Sequence, residues 1–170
     1  MIDDESLAAR THRLLAEARY LSLATVSADG RPWVAVLEYA ALTGPLRLLF
    51  GSATGSRHGT DVARSPEVSG ALFLPGNGAD FTAVDGAQFS GRCRALDSAE
   101  VDEYHAVFYA KVFPDEAQRA EWMLPAEALR GQAGHRLYLV EVDRWWLVDT
   151  RTWAEDRIDR RVEMPLDGFR

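Results

Sequence analysis

The chain has 170 residues, 26% of them charged and 47% hydrophobic, which favours one globular domain and excludes a disordered chain. Lys and Arg number 19 against 26 Asp and Glu, a net charge of −7; repulsion from phosphate backbones excludes a dedicated nucleic-acid binder but leaves room for a local pocket for one small anion. The single cysteine, Cys93, excludes an intrachain disulfide and a multi-cysteine zinc site, and no apolar run approaches the roughly 20 residues of a membrane span. The opening Met1-Ile2-Asp3-Asp4-Glu5 is acidic and has no apolar signal core, which points to a cytoplasmic protein.

Asp3 to Arg19 reads as a helix, with Leu7, Leu14, Leu15 and Ala18 on one face. The period then changes. Tyr20 to Ser27 is a strand, Ala28-Asp29-Gly30 a hairpin turn, and Pro32 to Ala40 a second strand. Thr43-Gly44-Pro45 turns the chain into a third, Leu46 to Phe50. Three short strands with tight turns make an antiparallel meander. A short helix from about Arg57 to Ser65 is stopped by Pro66, and Val68 to Leu74 is a fourth strand. Pro75 to Asp80 is a loop, and Phe81 to Leu96 is one strand or two, broken near Asp85-Gly86. Asp97 to Val112 is helical, with Val101, Tyr104, Phe108 and Val112 sharing a face, and Asp115 to Met123 is a second short helix. Leu137 to Val142 is apolar on both faces, as a central strand would be, and Trp145 to Val148 extends it or forms the next strand. From Thr150 the pattern dissolves into alternating Arg, Asp and Glu, which reads as a tail. The expected organisation is one domain over residues 1–150 and a tail over 151–170. Six or so closely spaced strands suggest a closed barrel with helices at its rim.

Few side chains suggest catalysis. The histidines His12, His58, His105 and His135 stand at no metal-ligand spacing, and H-E-x-x-H is absent. Gly51-Ser52-Ala53-Thr54-Gly55 is not a nucleophile elbow, because its serine is second rather than central. Lys111 is the only lysine, which argues against a phosphate-loop or Schiff-base lysine. Asp97, Glu100, Asp102 and Glu103 open a helix, where acidic groups favour the dipole. Cys93 reads as a small core residue and His105 as a solvated one. Trp145 and Trp146, adjacent on a strand, face opposite ways, to core and to an interface or ring.

Ser52 to Thr60 is the positive signal. Its glycines let the backbone approach a ligand, Ser52, Thr54 and Ser56 bring hydroxyls, and Arg57 and His58 add cationic donors where a helix begins. A helix N-terminus, hydroxyls and a guanidinium are what a phosphate dianion needs; a solvated turn with an N-cap serine is the alternative.

Leu49-Phe50-Gly51-Ser52-x-x-Gly55-Ser56-Arg57-His58, followed by Val62 and Ser65-Pro66-x-Val68-Ser69, resembles the signature of the pyridoxamine 5′-phosphate oxidase-like superfamily. Leu23-Ala24-Thr25-Val26-x-x-x-Gly30-x-Pro32-Trp33-Val34 resembles its first hairpin, and Val84-Asp85-Gly86-x-Gln88-Phe89-Ser90-Gly91 its later strand. The resemblance implies a six-stranded antiparallel split β-barrel with flanking helices, an α+β fold that binds FMN at the interface of a homodimer. It places Ser56, Arg57 and His58 at the FMN phosphate, Trp33, Val34, Ala35 and Val36 beside the flavin ring, and Ser52 and Gln88 at positions that contact the flavin. No side chain need be catalytic, and no metal is implied. Two departures stand out. Lysine is common in the family where this chain has His58, and Pro32 to Glu38 lacks the arginine and lysine that the pyridoxamine oxidases carry on this strand. The implied function is an FMN-dependent oxidoreductase with an unassigned small-molecule substrate. The alternatives are a non-catalytic flavin- or haem-related binding protein and a reductase that uses a deazaflavin coenzyme.

Overall fold

The computed structural model describes residues 6–74, 85–149, 152 and 155–169. The helix start expected at Asp3, the loop Pro75 to Asp80 and the first residues of the strand expected from Phe81 lie outside them. The described residues form eight strands and four α-helices in the order α1 (Leu7–Glu17), β1 (Tyr20–Val26), β2 (Pro32–Glu38), β3 (Ala40–Leu42), β4 (Arg47–Ala53), α2 (Arg57–Arg64), β5 (Glu67–Leu74), β6 (Asp85–Ala95), α3 (Ser98–Val112), α4 (Glu116–Trp122), β7 (His135–Val148) and β8 (Arg161–Glu163). Among the described residues no helix is long and apolar enough to cross a membrane.

All the pairings are antiparallel, in the order β2-β1-β5-β6-β7-β4-β3, with β8 added to the end of β7. The β1–β2 hairpin has full register from Tyr20 opposite Glu38 to Val26 opposite Pro32, and Gly30 supplies the left-handed φ of 79° that its turn requires. The sheet curls until β2 approaches β4, giving a half-barrel with α2 bridging the gap. This is the α+β split barrel that the sequence implied, with two strands more than the expected six. The Pro32 to Ala40 stretch ends at Glu38, and Ala40–Leu42 pairs with β4 instead of β1, so one expected strand becomes two. The eighth strand comes from the stretch read as a tail. Arg161–Glu163 pairs with β7, and Met164 and Phe169 are buried in the core.

Strand alternation builds two apolar clusters. Inside the curl lie Leu21, Leu23, Leu48, Phe50, Leu72, Phe89, Val140 and Trp145. Outside it, Leu49, Leu137 and Leu139 meet Val101, Phe108 and Tyr109 of α3. Burying one such side chain contributes about 1.5–3 kcal/mol. β4 and the first half of β7 are therefore apolar on both faces, and β7 is a single strand where two were open. Asp97 caps α3 in a reciprocal capping box with Glu100, which fits the structural reading of the acidic cluster. Cys93 is buried, its thiol pushed up to about 12 by burial. Trp145 stacks on Phe89 in the core, while Trp146 lies outside under the Arg144 guanidinium. His105 departs from the expectation of a solvated residue: it is half-buried, and its Nε2 lies 2.7 Å from the Leu124 carbonyl oxygen.

Candidate functional site

The polar segment after β4 forms a built corner. The Thr54 N–H donates to the Gly134 carbonyl at 2.8 Å, which ties the turn to the start of β7. Ser56 is the N-cap of α2 and its Oγ accepts the Gly59 N–H at 3.1 Å. A Cβ at Gly59 would come within 2.9 Å of the Ser56 Oγ and the Tyr138 hydroxyl, and 3.0 Å of the Ala53 carbonyl, so only glycine lets α2 sit this close. The first turn of α2 thereby keeps backbone N–H groups without intrahelical acceptors, at the positive end of the helix dipole.

Arg57 stands exposed at that end, its guanidinium 4.6 Å above the Trp33 ring. This contact joins α2 to β2, which is first in the strand order and, among the described residues, has one unpaired backbone edge. Trp33 and Ala35 share the face of Thr25 and Leu23, towards the interior; Val34 and Val36 point outward and are 56% and 69% exposed.

His58 turns the other way, into the protein. It is 9% exposed, lies edge-on to Phe50, and holds its Nε2 2.7 Å from the Ser52 Oγ. Ser52 also reaches the Ser56 Oγ at 3.3 Å, so the three side chains form one chain of polar atoms. Burial holds the His58 imidazolium below its ordinary range, and the nearby Asp61 carboxylate only partly offsets this. Asp61 is itself buried and accepts a hydrogen bond from the Thr25 hydroxyl at 2.8 Å. At neutral pH His58 is therefore an uncharged donor and acceptor.

Ser52 is among the residues that line a cavity of about 540 Å³ between β2, the end of β4 and helices α3 and α4. Phe108, Tyr109, Phe113 and Trp122 form its aromatic wall, with Glu38 and His135 at the polar positions. None of the described lining residues is a lysine or an arginine. Periodicity placed Phe108 on an apolar helix face, but nothing local showed that this face would border Ser52. The Thr25–Asp61 pair was likewise missed, since an aspartate in a short polar helix carries no signal of burial.

The structure thus joins Arg57 to Trp33 and Ser52 to Ser56 and His58, and Val36 and Ser52 both line the cavity; Val34 and Ala35 lie between Trp33 and Val36 on β2. It does not bring Gln88 near Ser52. Gln88 is opposite Trp146 on β7, whereas Ser52 is opposite Arg136, ten residues away and on the order of 30 Å along the strand. Gln88 accepts instead from the Arg161 Nε at 2.9 Å. It lies on the same outward face of the sheet as Val34 and Val36.

The family model described as pyridoxamine 5′-phosphate oxidase matches residues 7–149. No curated protein matches the chain significantly. Among solved structures, a heme binding protein from Mycobacterium smegmatis superposes with a TM-score of 0.72 at 18% identity, over 99% of this chain and 61% of that one. This chain therefore spans less than two thirds of that protein. A pyridoxamine 5′-phosphate oxidase-related, FMN binding protein from Nostoc punctiforme gives 0.59 at 16% identity, over 94% of each chain. A FAD-binding protein from Mesorhizobium loti gives 0.60 at 19% identity, over 83% of this chain and 92% of that one. At these identities the likeness is one of fold.

Proposed function

The chain belongs to the pyridoxamine 5′-phosphate oxidase family, and we propose that within it this protein is an FMN-dependent oxidoreductase that works as a homodimer. One observation carries the reading: Ser52 and the β2 residues Val36 to Glu38 line a cavity large enough for a planar ring system, and Ser52 is bonded to Ser56 and His58 at the start of α2. The residues fit the cofactor. Arg57 and the free N–H groups of the first α2 turn would hold its phosphate. The β2 backbone from Trp33 to Val36 would flank the ring, and the Ser52 hydroxyl would face it. Bound FMN would supply the hydride chemistry. The aromatic wall would keep water from the ring.

The homodimer rests on the outward sheet face. Tyr20, Val26, Val34, Val36 and Phe73 are exposed there, an apolar surface that a second copy would cover. A copy seated on it would bring its own Gln88 towards the first chain's β2, which would explain why Gln88 lies far from Ser52 within one chain. Light scattering is expected to report twice 18.9 kDa; a monomer at micromolar concentration refutes the dimer.

The flavin reading is tested by Arg57→Ala. A charge-assisted hydrogen bond contributes about 1.5–3 kcal/mol, so FMN affinity should fall roughly 10- to 150-fold. Riboflavin, which has no phosphate, should bind as before. Equal losses for both ligands would remove Arg57 from the phosphate site. The second reading, a non-catalytic binder of flavin or heme, is favoured by the absence of any cation in Pro32 to Glu38. Anaerobic reduction of the bound flavin by a nicotinamide coenzyme, with turnover of an acceptor, separates the two.

A further inference from the structure

We infer that His58 is a positioning residue for the flavin ring and not a ligand of its phosphate: it acts through Ser52, fixing whether that hydroxyl turns its proton or its lone pairs to the cavity. This rests on the flavin reading above and assigns one residue within it.

The geometry separates His58 from its neighbour in sequence. Arg57 is exposed at the mouth of α2, where an anion would arrive. The His58 ring is buried against Phe50, and its outermost nitrogen, Nε2, is already engaged with Ser52 at 2.7 Å. A phosphate at the helix start would have to break that contact to reach it.

Ser52 has one proton to give. If Nε2 carries a lone pair, it takes that proton, and Ser52 offers the cavity only acceptor capacity. If Nε2 carries a hydrogen, it donates to Ser52, whose proton then goes to the Ser56 Oγ at 3.3 Å or to an acceptor in the cavity. The two arrangements are tautomers of one neutral ring, so a switch between them needs no net charge in a buried place. Ser56 accepts from Ser52 at the longer 3.3 Å while its Oγ also caps Gly59, so His58 at 2.7 Å is the closer partner.

The surrounding groups keep the ring neutral. Asp61 on the same helix favours the charged form, but its carboxylate is held by Thr25 of β1 and burial outweighs it. From β4 the ring meets Phe50. From β7 come the Tyr138 hydroxyl, beside Gly59, and Arg136, whose guanidinium is bound to the Ala133 and Gly131 carbonyls. Arg57 faces Trp33.

A double-mutant cycle on flavin affinity, followed by fluorescence quenching, tests the inference. Ser52→Ala and His58→Leu should each weaken FMN and riboflavin by the same factor, about 3- to 10-fold for a neutral hydrogen bond. The double variant should be no weaker than either single one. His58→Gln, whose amide both donates and accepts, should stay within about 2-fold of wild type. Wild-type affinity should be level from pH 7 to 9. Long-range proton–nitrogen NMR of the flavin-free protein should show a neutral His58 ring at pH 7, with nitrogen shifts that move in Ser52→Ala. A loss in His58→Leu confined to FMN, losses that multiply in the double variant, or an imidazolium at pH 7 would each overturn the inference. A wild-type protein that binds neither flavin would instead overturn the flavin reading, with the NMR result still reporting on His58 and Ser52.

Discussion

Two buried polar clusters sit at different places in the fold, and they are finished to different degrees. In one, Asp85 at the start of β6 accepts from Arg10 at 2.6 Å and from Arg13 at 2.8 Å, and takes the Gly86 N–H as well. Arg10 spends its remaining reach on the Val148 carbonyl, so α1, β6 and the end of β7 are tied at one point. In the other, Ser52 meets His58, Asp61 is held by Thr25, and Ser52 is among the residues lining the cavity. The first cluster has its charges paired. The second pairs Ser52 with His58 and Ser56, and Ser52 also lines the cavity. A paired buried network fixes structure; one with a polar group lining a cavity is where a ligand can gain binding energy.

The strongest way to break this contrast is Asp85→Ala. It leaves the Arg10 guanidinium buried and unpaired, and should cost about 3–5 kcal/mol, read from the denaturant midpoint. Flavin affinity of the folded protein should not change. A shift in affinity as large as that of Arg57→Ala would show that the clamp also shapes the site.

Thr25→Val comes next. It removes the hydroxyl donor to the buried Asp61 carboxylate, a charged hydrogen bond whose loss should cost about 1.5–3 kcal/mol in denaturant unfolding. The same variant should move the His58 titration, because Asp61 is the charge that bears on it. An unmoved His58 would separate the two halves of the second cluster.

The smallest expected effect is in the pH dependence of stability. Burial holds His58 below its ordinary pKa of about 6.5. Burial alone would raise Asp85, but the hydrogen bonds and charges of Arg10 and Arg13 outweigh it and hold the carboxyl below its usual value. Each contribution is therefore full above the unfolded-state pKa and lost as pH falls through the folded one. Stability should fall in two windows, the first opening at about pH 6.5 and the second at about pH 3.9. His58→Gln should remove the first slope and leave the second. A first slope that survives His58→Gln would assign it to another histidine.

The local pattern was enough for much of the fold. Alternation from Tyr20 to Val26, the turn at Gly30 and the apolar run at Leu137 are properties of a few neighbouring residues, and so is the N-cap at Ser56. Each depends on backbone geometry that the segment carries with it. The family resemblance added the split barrel and the corner at Ser52 to His58, because those residues are close in the chain. What the segments could not contain is what they meet. Ala40–Leu42 left β2 because β4 offered it a register. The Arg-, Asp- and Glu-rich end entered the fold because β7 had an edge left for β8, and because the core could take Met164 and Phe169. Two adjacent residues show the limit most clearly: composition made Arg57 and His58 a pair of cationic donors, yet only Arg57 faces solvent. Charge and exposure of a histidine are set by the atoms packed around it, and those atoms, Phe50, Ser52 and Asp61, take their places only when β4 and α2 close on one another.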